Sequence, residues 1–336
     1  NRPGDSLSWD YYFISKGHTR KSGRDPELPN VSTQSGFFNW GPIDVPDDQM
    51  QDVRTVNWAK AELGKTHNKP FFLACGFYRP HLPWYVPKKY FDKFPLDEII
   101  LPEVKSDDLD DLPEYGKRFA RERYSGSWGT DLNKGEPDHD LVIKYDQWKK
   151  GVQAYLASIS FVDTYVGELL DGLDKSKYAD NTIIVLWGDH GWHLGEKQHW
   201  RKQALWEDTT HVPFIVSYPK TIAENSICEY PVSFIDIFPT LIDLAGIPKK
   251  EDLDGKSLKE LLINPSMKWN RPVLSTYGKG NHAVRSGKWR YIQYRDGSGE
   301  LYDHQNDPNE WYNLLDKEES QEVINRLKKI IPVKEK

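Results

Sequence analysis

The chain has 336 residues, enough for one large domain or two, with a substantial buried core. Apolar residues make up 38% and charged residues 29%. The longest apolar runs, Phe71 to Phe77 and Thr182 to Trp187, fall well short of the roughly 18–20 residues of a membrane-spanning helix. Forty-five Lys and Arg against 51 Asp and Glu give a net charge of −6, which argues against a general nucleic-acid binder.

The sequence begins at Asn1, and its only methionines are Met50 and Met267, so it reads as processed or incomplete at its N-terminus. A signal peptide would already be gone. Cys75, in an expected strand, and Cys228, in an expected loop, form neither a disulfide framework nor a metal-binding spacing and read as unpaired thiols.

In chain order, Asp47 to Leu63 places Val53, Val56, Trp58, Ala59 and Leu63 at helical spacing, with Gly64 as a stop. Pro70 to Gly76 reads as a central strand, ending in Tyr78-Arg79-Pro80-His81-Leu82-Pro83-Trp84, where two prolines stiffen the loop and fix where Arg79 and His81 point. Asp97 to Asp140 reads as a long surface excursion. A helix follows over Tyr145 to Leu173, its stripe marked by Tyr155, Ile159, Val162, Val166, Leu169 and Leu170, with Asp163 read as a surface or capping partner.

Thr182 to Trp187 reads as a strand buried on both faces, and His211 to Ser217 as another. This alternation of helix and buried strand predicts an α/β fold with a mostly parallel sheet covered by helices on both faces. A helix over Ser233 to Ala245, stopped by Gly246 and Pro248, closes the main domain, residues 1–250. From Glu251 the character changes: a short helix after Asp254-Gly255, alternating strands around Val284 to Tyr294, a hairpin turn at Asp296-Gly297-Ser298-Gly299, and a closing helix at 319–331. Residues 251–336 are therefore expected to form a small C-terminal α+β subdomain with antiparallel strands.

Four of the ten histidines, His190, His193, His199 and His211, lie close behind Asp189, at the carboxyl end of the Thr182 to Trp187 strand, where open α/β sheets bind ligands. Asp189 and His190 are the candidate metal ligands, because a chain that turns at a strand end frees both side chains toward one ion. Oxygen-dominated sites favour calcium or magnesium and histidine-rich ones zinc, and a structural Asp-His hydrogen bond is the alternative. Lys197, His199, Arg201 and Lys202 form a basic cluster suited to a small anionic group, and Lys202 is the candidate for holding sulfate or phosphate oxygens. His81 is the candidate general acid for a departing alkoxide.

These residues carry a resemblance. Gly188-Asp189-His190-Gly191-Trp192 with Leu194-Gly195-Glu196, Trp200-x-Lys202 and Thr210-His211-Val212-Pro213 resembles the type I, formylglycine-dependent sulfatases, on the side of the iduronate-2-sulfatase-like branch. Phe72 to Pro83, the segment 155–189, Ser233-x-x-Asp236-x-x-Pro239-Thr240-Leu241, Asp254-Gly-x-Ser-Leu258 and Glu300-Leu-Tyr-Asp303 with Asn306-Asp-Pro308 are similar to the same family in collinear order.

The resemblance implies an alkaline-phosphatase-like fold and hydrolysis of sulfate esters at a calcium site. By position, Asp189 and His190 match metal ligands, Lys202 the sulfate-binding lysine, and His81 the histidine that helps protonate the leaving oxygen. The family's nucleophile heads a Cys/Ser-x-Pro-x-Arg motif, and neither the Cys75 nor the Cys228 sequence fits it; Lys16-Gly17-His18 does not replace the family's Gly-Lys-x-x-His either. The expectation is a missing N-terminal third, cleaved into a separate chain or otherwise absent, that supplies the formylglycine, and a 336-residue chain inactive by itself.

The expected substrate is a sulfated saccharide, with Arg79, Trp84, Trp200, His282 and Arg285 as candidate substrate-binding residues, since guanidinium groups and aromatic faces suit anionic carbohydrate. A phosphomonoesterase or phosphodiesterase of the same fold, and a non-catalytic sulfated-glycan binder, are the alternatives. The resemblance and the calcium preference suit a periplasmic, secreted or lysosomal setting.

Overall fold

The computed structural model describes residues 8–15, 38–121 and 136–332. Its elements in chain order are β1 (Trp40–Ile43), α1 (Gln51–Leu63), β2 (Trp84–Pro87), α2 (Lys88–Phe91), α3 (Glu114–Ala120), α4 (Asp138–Lys144), α5 (Trp148–Asp174), β3 (Ile184–Trp187), α6 (Glu207–Thr210), β4 (Phe214–Ser217), α7 (Ile237–Leu244), α8 (Lys259–Ile263), β5 (Val273–Thr276), β6 (His282–Ser286), β7 (Trp289–Gln293), β8 (Gly299–Asp303) and α9 (Gln321–Lys328). The described residues fall into two compact units, one within Asn1–Leu101 and Asp140–Asp180, the other within Pro102–His139 and Asn181–Lys336.

In the first unit β1 and β2 pair in parallel, Trp40 opposite Trp84, and the two indoles stack with centroids 5.4 Å apart. The long α5 packs on α1 and α2. The residues it buries are Gly151, Val152, Ala154, Ala157, Ser158, Phe161, Tyr165 and Leu173, whereas Ile159 and Leu170 of the stripe read from the sequence are exposed. The helix is apolar around most of its circumference, so hydrophobicity alone does not choose the inner side. The side carrying Ala154, Ala157 and Ser158 is the one that lets neighbouring backbones approach closely. Tyr90 and Tyr165 both donate to Asp47 Oδ2, at 2.6 and 2.5 Å, tying α2 and α5 to the turn before α1.

Pro70 to Gly76, expected as a central strand, has no ladder partner among the described residues. Its apolar run supplies the side chains of a strand, but a strand also needs a neighbouring edge, and among the described residues none pairs with it.

In the second unit β3 pairs with β4 antiparallel, Ile184 opposite Ser217 and Trp187 opposite Phe214. The pair was expected to be buried on both faces; instead Trp187 is 47% and Ile215 58% exposed. Among the described residues β1 and β2 form the only parallel ladder, so the expected parallel sheet is represented there by one pair.

The antiparallel C-terminal strands follow the sequence closely, as a meander in the order β5-β6-β7-β8. Period-2 alternation sends Ala283, Ile292 and Tyr302 to one face, against Tyr115, Phe119, Leu205 and Trp206, and Val284, Tyr291 and Leu301 to the other, against Ile324 and Leu327 of α9. Both faces are covered, which is why β8 is buried throughout.

Candidate functional site

The loop after β3 is clamped onto the segment that enters β4. Gly188 N–H donates to Pro213 O, Gly191 N–H to Thr209 O, Trp192 N–H to Asp208 O and His193 N–H to Arg201 O, all at 2.9–3.1 Å. Gly191 has to be glycine, because a Cβ there would lie 1.8 Å from Asp208 O. This clamp presents Asp189 and His190 side by side.

His190 is half-buried, and its Nδ1 lies 2.8 Å from the Gly191 carbonyl, an acceptor, so Nδ1 carries the proton and Nε2 keeps its lone pair. Nε2 stands 3.5 Å from Asp189 Oδ2, whose side chain is 84% exposed. Burial, and next the Lys202 ammonium, lower the pKa of His190, which favours the neutral ring a metal ligand requires. One imidazole nitrogen and one carboxylate oxygen at this separation fit part of a divalent cation's shell.

Lys202 is half-buried; burial lowers its pKa, and Asp189 opposes that shift. The rest of the expected basic cluster is turned inward. Lys197 is buried on Asp108 at 2.8 Å, Arg201 on Asp138 with Nε at 2.5 Å, and His199 is buried with Nδ1 3.3 Å from the Ala120 carbonyl. With these three turned inward, Lys202 is the member of the cluster whose charge interacts with Asp189.

The expected substrate-binding residues fare differently. Trp200 is 1% exposed, its indole N–H donating to His139 Nδ1 at 3.1 Å, so it is a core residue and not a rim. His282 is buried, with Nδ1 2.9 Å from Thr276 Oγ1 across the β5–β6 pair. Arg285 donates from Nε to Glu207 Oε2 at 3.2 Å, with Nη2 3.2 Å from His304 Nδ1. Three positions apart on one strand, His282 and Arg285 point to opposite faces and cannot read one sugar ring together.

Arg79 and His81 belong to the first unit. Arg79 is 3% exposed and donates to the Tyr85 carbonyl from Nε at 3.1 Å and Nη2 at 2.9 Å, which ties down the loop. Trp84 is also buried, donating from Nε1 to the Pro80 carbonyl at 2.7 Å. His81 is half-buried against the Tyr78 ring, and its Nδ1 donates to Leu82 O at 2.6 Å, which assigns any transferable proton to Nε2.

Sequence reasoning missed Asp52, a buried carboxylate at the start of α1. It accepts Tyr78 N–H at 2.8 Å and Arg79 N–H at 3.2 Å, anchoring the root of the His81 loop. Burial raises its pKa against those bonds and the Arg79 charge. Its only sequence signal is an acid in the first turn of a helix, which ordinarily means nothing more than a favourable dipole contact.

A second missed feature is the network around Arg290, a buried side chain of β7. It donates to Leu205 O and Thr210 Oγ1, both at 2.9 Å, and to Glu207, and it pairs with Glu310 Oε1 at 2.8 Å. Glu207, His304 and Glu310 offer ligand atoms within 4.8 Å of one another, the one such trio among the described residues. Two guanidinium groups already neutralise these carboxylates, so a metal does not fit. Burial pushes Glu207 up, but Arg290 and Arg285 outweigh it and hold the carboxyl at about 2.

The sulfatase family model matches residues 7–247, and that of the C-terminal part of N-sulphoglucosamine sulphohydrolase matches residues 195–336. The chain belongs to the sulfatase family. It is 39% identical over 330 residues to a sulfatase from Formosa agariphila, covering 98% of this chain and 61% of that protein. Human iduronate 2-sulfatase is 32% identical over 234 residues, covering 61% of this chain and 42% of that protein. A protein solved in complex with its substrate D-glucosamine-2-N,6-O-disulfate shares the fold, with a TM-score of 0.66, 23% identity, and coverage of 83% of this chain and 68% of that one. The chain spans about three fifths of the length of the curated relatives it matches.

Proposed function

We propose that the protein carrying this chain hydrolyses sulfate esters of a sulfated saccharide. The observation that carries the reading is the juxtaposition of Asp189, a neutral-type His190 and Lys202 on one clamped loop of a sulfatase-family chain. The solved neighbour bound to a disulfated glucosamine supports the sugar class.

In this reading Asp189 and His190 hold a divalent cation, calcium in preference to magnesium or zinc, which supplies positive charge opposite the sulfate oxygens. Lys202 binds a non-bridging sulfate oxygen, and its stem, half-buried, fixes the ammonium before substrate arrives. His81 donates the Nε2 proton to the leaving sugar oxygen. No Cys/Ser-x-Pro-x-Arg occurs among the 336 residues; in this reading the formylglycine nucleophile is supplied from outside them, and the chain by itself is expected to be inactive. The reading keeps 1–250 and 251–336 as main domain and C-terminal subdomain, and a periplasmic, secreted or lysosomal setting. No helix among the described residues is long and apolar enough to cross a membrane.

The test is sulfate release from a sulfated oligosaccharide by the natural protein. Lys202→Ala is expected to lower kcat/KM by about 10²–10³. His81→Ala is expected to cost about 10²–10⁴ on the sugar sulfate and far less on an aryl sulfate, whose phenolate leaves without a proton. Turnover of phosphate esters with two bound zinc ions, or glycan binding with no turnover of either ester, overturns the proposal.

A further inference from the structure

A second groove lies at the far end of β6 from His282, where the β6–β7 turn, the first residue of β7, α9 and the segment leading into β5 meet. It encloses about 410 Å³ and shares no lining residue with the Asp189–Lys202 loop. The rise of a strand, about 3.3 Å per residue, sets it roughly 13 Å along β6 from His282.

Its wall combines three aromatic side chains, Tyr230, Trp269 and Trp289, with three cations, Arg271, Lys288 and Arg326, and no carboxylate lines it. The aromatics are each partly exposed. Lys288 sits over the Trp289 ring at 4.7 Å and pairs with Asp303 at 2.5 Å. Arg271 is held by buried Asp236 at 2.5 Å. These two cations are therefore positioned by the fold and keep donors to spare. Arg326, in the last turn of α9, is exposed and has no ion pair or hydrogen bond with a described residue. The Trp269 indole N–H is buried without an acceptor among the described residues, so reorienting that ring toward a ligand breaks no hydrogen bond.

Aromatic faces stack on the C–H faces of pyranose rings, and guanidinium and ammonium groups pair with sulfate. We infer that this groove is an ancillary binding subsite for a sulfated saccharide, a second handhold on a polymeric substrate whose reacting ester sits elsewhere. The inference rests on the proposed saccharide specificity. A second handhold raises the local concentration of a long substrate and does nothing for a short one.

The test uses a sulfated octasaccharide and the corresponding sulfated monosaccharide, with Arg326→Ala and Trp269→Ala made singly and together in the natural protein. Melting temperatures within a few degrees of the parent confirm folding, and Arg326→Ala, at an exposed position, stands as the safeguard should Trp269→Ala fail to fold. KM for the octasaccharide is expected to rise about tenfold in the double variant, with kcat unchanged and the monosaccharide kinetics untouched. Direct binding of the octasaccharide, measured calorimetrically in a Lys202→Ala background, is expected to weaken likewise, and to vanish for the desulfated octasaccharide. Unchanged octasaccharide binding in the variants, or equal binding of the desulfated form, overturns the subsite. If sulfate release is absent but the variants still lose octasaccharide binding, the subsite stands and the hydrolase reading falls.

Discussion

The carboxylates of the second unit divide into two classes with opposite pH signatures. Glu207 is held at about 2, below its ordinary 4.5, by Arg290 and Arg285 acting against burial. A depressed carboxyl contributes stability that is complete above its unfolded pKa and is lost as pH falls through its folded one. Unfolding free energy should therefore drop between about pH 4.5 and 2, by on the order of 3 kcal/mol from this group. Urea midpoints across that window check it, and Glu207→Gln should flatten the slope. Glu196 is the reverse case: burial, and then the Asp208 charge, push it up to about 7. Its ionisation opposes the fold, so its cost grows as pH rises from 4.5 through 7. Glu196→Gln, which keeps an acceptor for the Leu194 N–H, should match the parent at pH 5 and exceed it by roughly 1–3 kcal/mol at pH 8.5. Asp52 acts differently again, through the loop it anchors. Asp52→Asn presents an N–H where one of two backbone donors needs an acceptor, so it should lower kcat on sugar sulfates while leaving an aryl sulfate, which does not need the His81 proton, nearly unaffected.

At the scale of elements, the loop after β3 depends on one close approach. Gly191→Ala drives a methyl group into Asp208 O, so the clamp must open; a loss of at least about 2 kcal/mol and weakened calcium binding by the natural protein are expected, measured by melting and by metal titration. The helices were largely legible: α1, α7 and α9 fall within the segments marked for them, and α5 ends one residue past Leu173. So was the C-terminal meander, because Asp296 to Gly299 is a local turn signal and β6 to β8 alternate with period 2. What the sequence concealed was partnership. Pro70 to Gly76 looks like a strand and has no ladder partner among the described residues, and β1 and β2 are too short and too rich in tryptophan and proline to announce themselves. Of the proposed site, Asp189, His190 and Lys202 could be singled out from sequence because they sit on one short loop. Arg79, Trp200 and His282 are buried, because charge and aromaticity say nothing about whether a side chain faces inward, and Arg285 is partly exposed but engaged with Glu207.

Over the whole molecule, the apolar surface is unevenly covered. Trp187 and Ile215 stand exposed on β3 and β4, and Ile235 and Phe238 about α7 are more than half exposed. Exposed apolar side chains on neighbouring elements expose hydrophobic area to solvent. The isolated 336-residue chain is accordingly expected to enhance the fluorescence of anilinonaphthalene sulfonate while still folded, and Trp187→Thr with Ile215→Thr should diminish the signal. The Arg290 network bears on how such proteins can be recombined. Its guanidinium, carried on β7, neutralises Glu207, which lies five residues beyond Lys202, and Glu310 near the C-terminal end. A chimera that exchanges residues 251–336 for those of a relative therefore inherits a lock from one parent and a key from the other. Unless the incoming sheet brings arginines in the Arg290 and Arg285 registers, Glu207 loses its counter-charges, and the segment that follows Lys202 loses its brace even though no residue of the proposed site has been altered.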